Sequence, residues 1–534
     1  MSTVGGTSED SGVPIQTSGA RGTEKKVLRP GAVGLAAVCF MALAGAGPIT
    51  SITGAMPIGA GYGQGIYFPG AYIVAMVVLA IFTVGYAAMT RHITATGSFY
   101  GLISHGLGPG AGMVAGLLGT LYYVVFEASI VGIFASFART TIINFHGPTI
   151  SWIWIALVGI AIIGVMGYFD IKLSGKVLGF FLITETLILL ILGFAVLFKG
   201  GGPNGLMVQS LNPISAITKA APTGNGVTGS VGIGVLFAFA CWFGYESVAV
   251  YGEESRDPKK TIPRGLFLVV FGIGAFYIFV SWMTIAGNGT VQAIALARSA
   301  TPFNLLFNIT QTFVGTWAKD VYEVLIITGS FACALSFHNA ASRYIYALGR
   351  ESPYQQIRNS LGSTHRKHAS PHIASFVETV VTLAIVLAFF TLEHPSATAP
   401  DVAYYYLYTL LILMGAMIVL ILMIATSLSV ISYFHIRKKH PETANLFRTL
   451  LAPIVGALGM LVALYLLIKN LNFAAGAAAD SPFFKAMPWI VLAVIVIGAL
   501  YAVYLRISQP DTFKEMGRTV LEEAPERDLE LPAD

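Results

Sequence analysis

Three carboxylates, Glu127, Glu185 and Glu246, each stand inside a long apolar run. An ionisable group at bilayer depth is costly and by default marks an ion or substrate path. Glu185, in Phe181-Leu-Ile-Thr-Glu-Thr-Leu-Ile-Leu-Leu190, could bind and release a proton or act as a structural hydrogen-bonding group. Glu127 follows Tyr122 and Tyr123, and could meet a cationic substrate group or pair with a neighbouring helix. Glu246 could carry a proton or tie two helices together. Polar and aromatic neighbours complete the set: Phe239, Trp242 and Phe243 before Glu246, and Ser336, His338 and Asn339 in a later run. A lone His is more often a satisfied packing residue than a ligand.

The elements that would hold these groups are apolar helices with interruptions. Gly45-Ala46-Gly47-Pro48-Ile49-Thr50 lies midway through an apolar run of bilayer-spanning length. Pro between small residues removes a donor and weakens helical order. In hydrocarbon, such a break survives only against protein or a polar cavity. Where the helix restarts, its first amides are unpaired and its dipole is positive, so a carboxylate is the natural guest. Freed carbonyls could accept from an ammonium group. Gly45, Ala46, Gly47, Ile49 and Thr50 are therefore candidate binders, while Pro48 has no N–H to give. The alternative is that the small residues only permit close helix packing. A second interruption, Ala240-Cys241-Trp242-Phe243-Gly244-Tyr245-Glu246, adds Phe239, Ala240, Trp242 and Phe243 to the candidates, although any one ring could be core packing. Two broken helices in matching halves point to a transporter's binding site.

Composition agrees. The chain has 534 residues, 55% hydrophobic and 11% charged, with a mean hydropathy of +0.74. Soluble domains carry about 25% charged residues. The net charge of +5 comes from short basic clusters between apolar runs, which speaks for charge asymmetry across a lipid bilayer and against nucleic acid. Cys39, Cys241 and Cys333 all fall in apolar runs, giving neither a disulfide framework nor a metal site.

About twelve spans are expected, near 32–58, 68–89, 112–139, 152–168, 177–198, 230–252, 265–287, 321–347, 373–391, 402–434, 449–469 and 486–507. With that count, most of the 31 Lys and Arg fall on the side of the amino terminus, and only Arg139, Lys199, Lys219, Arg298, Lys319, Lys469 and Lys485 fall opposite. The bias places both termini in the cytoplasm, which needs an even number of spans. Residues 1–30 and 509–534 read as disordered cytoplasmic tails, the second acidic. A short outer helix is expected over 303–313, and Tyr404–Tyr406 reads as an interfacial aromatic belt.

The run from Phe239 to Arg264 resembles the sixth helix and following loop of the amino acid–polyamine–organocation permeases. Gly244-Tyr245-Glu246, Glu253-Glu254, Asp257-Pro258-Lys259-Lys260 and Ile262-Pro263-Arg264 fill the slots of that family's pattern. Asn339-Ala-Ala-Ser-Arg343-Tyr344 and Ala347-Leu-Gly-Arg350-Glu351 are similar to the inner end of its helix 8. The resemblance covers roughly residues 30 to 508. It implies an all-α polytopic membrane protein with a 5+5 inverted repeat, discontinuous helices 1 and 6, and two extra C-terminal helices. The repeats would be 31–198 and 230–434, joined by an outer loop at 199–229 and followed by helices 11 and 12 at 435–508. Substrate would sit between helices 1 and 6, with helices 3, 8 and 10 completing the pocket. Tyr122, Tyr123 and Ser336 join the substrate-binding set on that ground. Glu185 occupies a slot where some members carry a Lys that stands in for sodium. The first break departs from the usual Gly-[Ser/Thr]-Gly-Ile-[Gly/Ile], losing a hydroxyl and an amide.

The charged loop Glu253, Glu254, Arg256, Asp257, Lys259, Lys260 and Arg264 is either a solvated surface or a set of charges that pair when an inner mouth closes. The expected function is a cytoplasmic-membrane permease moving amino acids by alternating access. Its coupling ion would be a proton, with sodium as the alternative, and Glu127, Glu185 and Glu246 would serve coupling or gating. The small-molecule alternative is a polyamine or other organic amine. A membrane enzyme is disfavoured by the lack of a nucleophile–base pair, metal-ligand spacing or phosphate loop. A channel or sensor of the same fold is the third class. No cofactor is expected, and no motif addresses oligomeric state.

Overall fold

The structure, a computed structural model, describes residues 28–517 apart from 95–96, 170, 225–227, 300 and 397–398. Most of both expected tails, with Arg21, Lys25, Lys26, Arg518 and Arg527, lies outside the described residues. Within the second tail, residues Pro510–Glu515 form a short helix and Met516 is buried.

Among the described residues helices carry the fold, and the only extended pairings are two isolated bridges. In chain order the helices used below are α1 (Leu35–Ala46), α2 (Pro48–Tyr62), α3 (Phe68–Thr90), α4 (Ser98–Leu107), α5 (Pro109–Asn144), α6 (Trp152–Tyr168), α7 (Ile171–Phe198) and α8 (Val231–Ala240). There follow α9 (Pro258–Asn288), α10 (Thr290–Ala297), α11 (Asn304–Phe313), α12 (Thr316–Arg350), α13 (His372–Leu392), α14 (Thr409–Ile431), α15 (Ala452–Lys469) and α16 (Pro482–Ser508). Pro stands in the first turn of α2, α3, α5, α9 and α16, where its missing N–H would have had no partner anyway.

Among the described residues, eleven helical segments are long and apolar enough to cross a membrane, counting α1 with α2 as one. The shorter α6, 17 residues, takes the place of the fourth expected span. Several helices overrun their expected ends, α5 and α12 most visibly, because hydropathy reports only the apolar middle of a helix. The 303–313 outer helix appears as α11, with α10 before it. Pieces of π-helix open and close the tenth span, at Ala403–Tyr408 and Ser432–Ile436. The second face of the outermost helices is apolar as well: Trp154, Phe180, Phe198, Trp489 and Leu500 are exposed, as a lipid-facing girdle requires.

Both described chain ends lie on one face. Val33 bridges to Ser255, and the Gly517 N–H donates to the Glu351 carboxylate at 2.8 Å. That face, called the terminal face here, also carries Glu253, Glu254 and Arg350. The other face is formed by the end of α2, by α10 and α11, and by residues 199–224.

Candidate functional site

Gly47 takes a left-handed conformation (φ 54°, ψ 69°), which glycine adopts without a Cβ penalty, so α1 ends and α2 begins at one residue. Gly244 does the same at φ 103° after a run of turns through Cys241 to Phe243. The two breaks touch backbone to backbone. A Cβ on Gly244 would sit 2.8 Å from the Gly45 carbonyl carbon and 3.2 Å from the Ala46 nitrogen.

Most carbonyls at the two breaks are already taken up inside the protein. The Ala46 carbonyl accepts from the Ser51 hydroxyl at 2.7 Å and the Tyr277 hydroxyl at 3.1 Å. The same Tyr277 hydroxyl lies 3.0 Å from the Cys241 carbonyl, so one side chain of α9 spans both breaks. The Gly45 carbonyl accepts from the Cys333 thiol at 3.1 Å. Side chains thus fill the places anticipated for a substrate ammonium. Thr50 Oγ1, in the first turn of α2, is buried and has no hydrogen-bond partner.

Glu185 of α7 stands against this restart. Its carboxyl is fully buried, the Ile49 amide bears on it, and neither oxygen reaches hydrogen-bond geometry. A Cβ on Gly329 would lie 2.2 Å from Oε2, so the small residue on α12 makes its space. The positive end expected to receive a guest carboxylate thus has a carboxyl of the protein beside it.

Glu246 acts as a tie. Its Oε2 accepts from the Gly244 N–H at 3.0 Å, and its Oε1 accepts from the hydroxyls of Tyr122 at 2.9 Å and Tyr123 at 3.2 Å. The two tyrosines therefore brace the second break from α5. Ser336 donates to the Met41 carbonyl at 2.7 Å and packs against Gly45. Trp242 is buried among Tyr72 and Tyr277, its indole N–H donating to the Val270 carbonyl at 3.3 Å. Phe243 packs edge-on against Phe126, and Phe239 is buried in the core with Ala240 beside it. Glu127 pairs with His338, Nδ1 standing 3.1 Å from each carboxylate oxygen, and its hydrogen bonds reach neither break.

The hollow lies toward the face opposite the terminal face. A vestibule of about 430 Å³ is lined by Tyr62, Phe237, Tyr404, Tyr405, Tyr408 and Phe473, among others. Phe237 precedes Cys241 by one turn, about 6 Å along a helix, so the vestibule reaches close to the breaks. Tyr404 and its neighbours are thus part of its wall, since the π-helix turns these rings inward against Phe303 and one another. The terminal face is shut. Arg343 holds Glu254 through Nε at 2.6 Å and Nη2 at 3.0 Å, both residues buried. Arg350 holds Glu253 in the same bidentate way, with Nη1 at 2.8 Å, and Tyr100 donates to Glu351. Of the charged loop, Glu253 and Glu254 form the closed pairs, while Asp257 and Lys260 make an exposed one.

The family model described as amino acid permease matches residues 37–515. Among curated relatives, the low-affinity putrescine importer PlaP of Escherichia coli (strain K12) is 25% identical over 402 residues, covering 73% of this chain and 79% of its own. The branched-chain amino acid permease BcaP of Lactococcus lactis subsp. cremoris (strain MG1363) is 24% identical over 344 residues, 61% and 69% of the two chains. The lysine-specific permease LysP of Escherichia coli (strain K12) is 24% identical over 244 residues, 44% and 47% of the two chains.

Proposed function

The chain belongs to the amino acid permease family, and from that premise we propose a carrier that moves amino acids by alternating access, driven by protons. It is a multi-pass membrane transporter. The observation that supports the mechanism best is the meeting of two glycine-hinged helices, Gly47 against Gly244, between an open vestibule and a face shut by ion pairs. That is one of two alternating states. We place the terminal face in the cytoplasm, following the basic residues, and the protein in the cytoplasmic membrane. The two halves, 31–198 and 230–434, are proposed as inverted repeats on the ground that each opens with a broken helix.

Substrate is proposed to descend from the vestibule and displace the side chains that cap the Gly45, Ala46 and Cys241 carbonyls. Glu185 is proposed as the proton site: a buried carboxyl without hydrogen-bond partners, beside the Ile49 amide, changes its fit to α2 whenever it gains or loses a proton. Glu246 is assigned to bracing the second hinge. Two observations favour the amine reading: Glu185 already stands where a substrate carboxylate would bind, and a putrescine importer is among the relatives.

A thermal-shift screen across amino acids and diamines identifies the solute, because a ligand of the folded state raises its melting temperature. Counterflow in proteoliposomes then tests the mechanism. Labelled solute is expected to exchange against unlabelled solute inside, and Glu185→Gln is expected to keep exchange while losing uptake driven by a pH gradient. Conductance without exchange would remove the carrier reading. Intact pH-driven uptake in Glu185→Gln would remove the proton site.

A further inference from the structure

Glu127 of α5, His338 of α12 and Glu378 of α13 meet in the interior, and all three are fully buried. One nitrogen or oxygen of each lies within 4.8 Å of the other two. Glu378 Oε1 accepts from the Thr382 hydroxyl at 3.3 Å, and Oε2 has no hydrogen-bond partner. On the far side of the imidazole, Nε2 lies 2.8 Å from Ser375 Oγ. Gly167 of α6 leaves the room: a Cβ there would stand 2.5 Å from Nε2 and 2.3 Å from Ser375 Oγ.

We propose that this trio is a site for a divalent transition-metal ion of the Zn²⁺ or Mn²⁺ class, joining α5, α12 and α13. Two carboxylates and a neutral imidazole carry a charge of about −2, which the apolar interior does not tolerate uncompensated, and a divalent cation cancels it. Metal–nitrogen and metal–oxygen bonds of about 2.0–2.2 Å put neighbouring ligand atoms roughly 2.8–3.6 Å apart, from octahedral to tetrahedral angles. His338 Nδ1 and the Glu127 oxygens already stand at 3.1 Å. The second nitrogen is anchored on Ser375, the outer-shell arrangement that fixes a metal-binding imidazole. One imidazole with two carboxylates suits a borderline ion better than Ca²⁺ or Mg²⁺, which ask for six or more oxygens or for retained water. Arg343, five residues beyond His338 on α12, is already engaged by Glu254. A groove of about 400 Å³ between α6 and α13, lined by Gly164, Tyr168, His372 and Thr379, ends within a turn of Gly167 and Ser375 and provides an approach.

The test uses the full chain, purified with any affinity tag removed, stripped with chelator and titrated with Zn²⁺ and with Mn²⁺. About one ion bound per chain is expected, together with a rise in melting temperature. Glu378→Gln and His338→Gln should lose both, whereas Glu185→Gln should keep both. X-ray absorption of the loaded wild type supplies a readout independent of the variants, with one imidazole among nitrogen and oxygen ligands expected. Absence of stoichiometric binding by the wild type overturns the proposal and leaves two shared protons as the means of neutralising the pair. Binding that survives both trio substitutions, or a spectrum without imidazole, overturns it as well.

Discussion

Replacing Glu254 with Gln should unlock the terminal face. The carboxylate receives two N–H donors of Arg343 at 2.6 and 3.0 Å, with both residues 2% exposed. Gln keeps one acceptor oxygen and turns an NH₂ group toward the other guanidinium N–H, so one charge-assisted hydrogen bond and the ionic attraction disappear. A hydrogen bond to a charged partner contributes about 1.5–3 kcal/mol, and at about 1.4 kcal/mol per tenfold the closed state loses roughly 10- to 150-fold of its advantage. The Tyr245–Glu254 segment, nearly all buried, and the amides pairing Val33 with Glu254 and Arg256 would be exposed when this face opens. Amide hydrogen exchange in nanodiscs reads that opening directly, because exchange through an opened state tracks its population. A rise of about 10-fold or more, confined to these segments, is expected. Exchange changed by less than about threefold in a folded Glu254→Gln protein would refute the assignment of this pair to closure.

Three further outcomes follow from the same geometry. Gly244→Ala places a Cβ 2.8 Å from the Gly45 carbonyl carbon at φ 103°, and should cost at least about 2 kcal/mol and abolish counterflow, whereas Gly272→Ala, with open space around it, should not; equal behaviour of the two would contradict the hinge contact. Tyr277→Phe strips the hydroxyl shared by the Ala46 and Cys241 carbonyls, which should lower stability by about 1–2 kcal/mol in denaturant titration, and an unchanged midpoint would speak against the shared bond. His92, outside the spans and stacked on His440 at 4.1 Å, is pushed down to about 4 by burial and then by its histidine neighbour. The unfolded chain, with an ordinary value near 6.5, then binds the proton first, so stability should fall as pH drops from about 6.5 to 4 and His92→Gln should flatten that slope in melting curves; parallel curves would refute it.

The breaks were legible because Gly-x-Gly-Pro and Phe-Gly-Tyr-Glu leave a helix little choice at bilayer depth. Their contents were not. Sequence spacing says that a carbonyl is freed, but Tyr277 and Cys333 come from elements more than 200 residues beyond the first break, and the plain signal each gave was a polar group in an otherwise apolar helix. Periodicity could offer Glu127 two fates without choosing, since the choice depends on His338 being opposite. The Tyr404–Tyr406 belt failed for a related reason. A π-helical turn, with i→i+5 hydrogen bonds, advances each residue through a smaller angle than a 3.6-residue pattern assumes, and here Tyr404 and Tyr405 line the vestibule while Tyr406 is buried. Glu253 and Glu254 read equally well as surface charge until their arginine partners, nearly one hundred positions away, came into view.

The pivot at Gly47 and Gly244 is made of main chain, whereas the vestibule wall is made of aromatic side chains carried by α8, α14's leading π-turn and the segment after α15. Hinge and vestibule wall are therefore built from different atoms. Under the proposed function, substitutions at Tyr62, Phe237, Tyr405 or Phe473 reshape the entrance while leaving the joint beneath it as it stands.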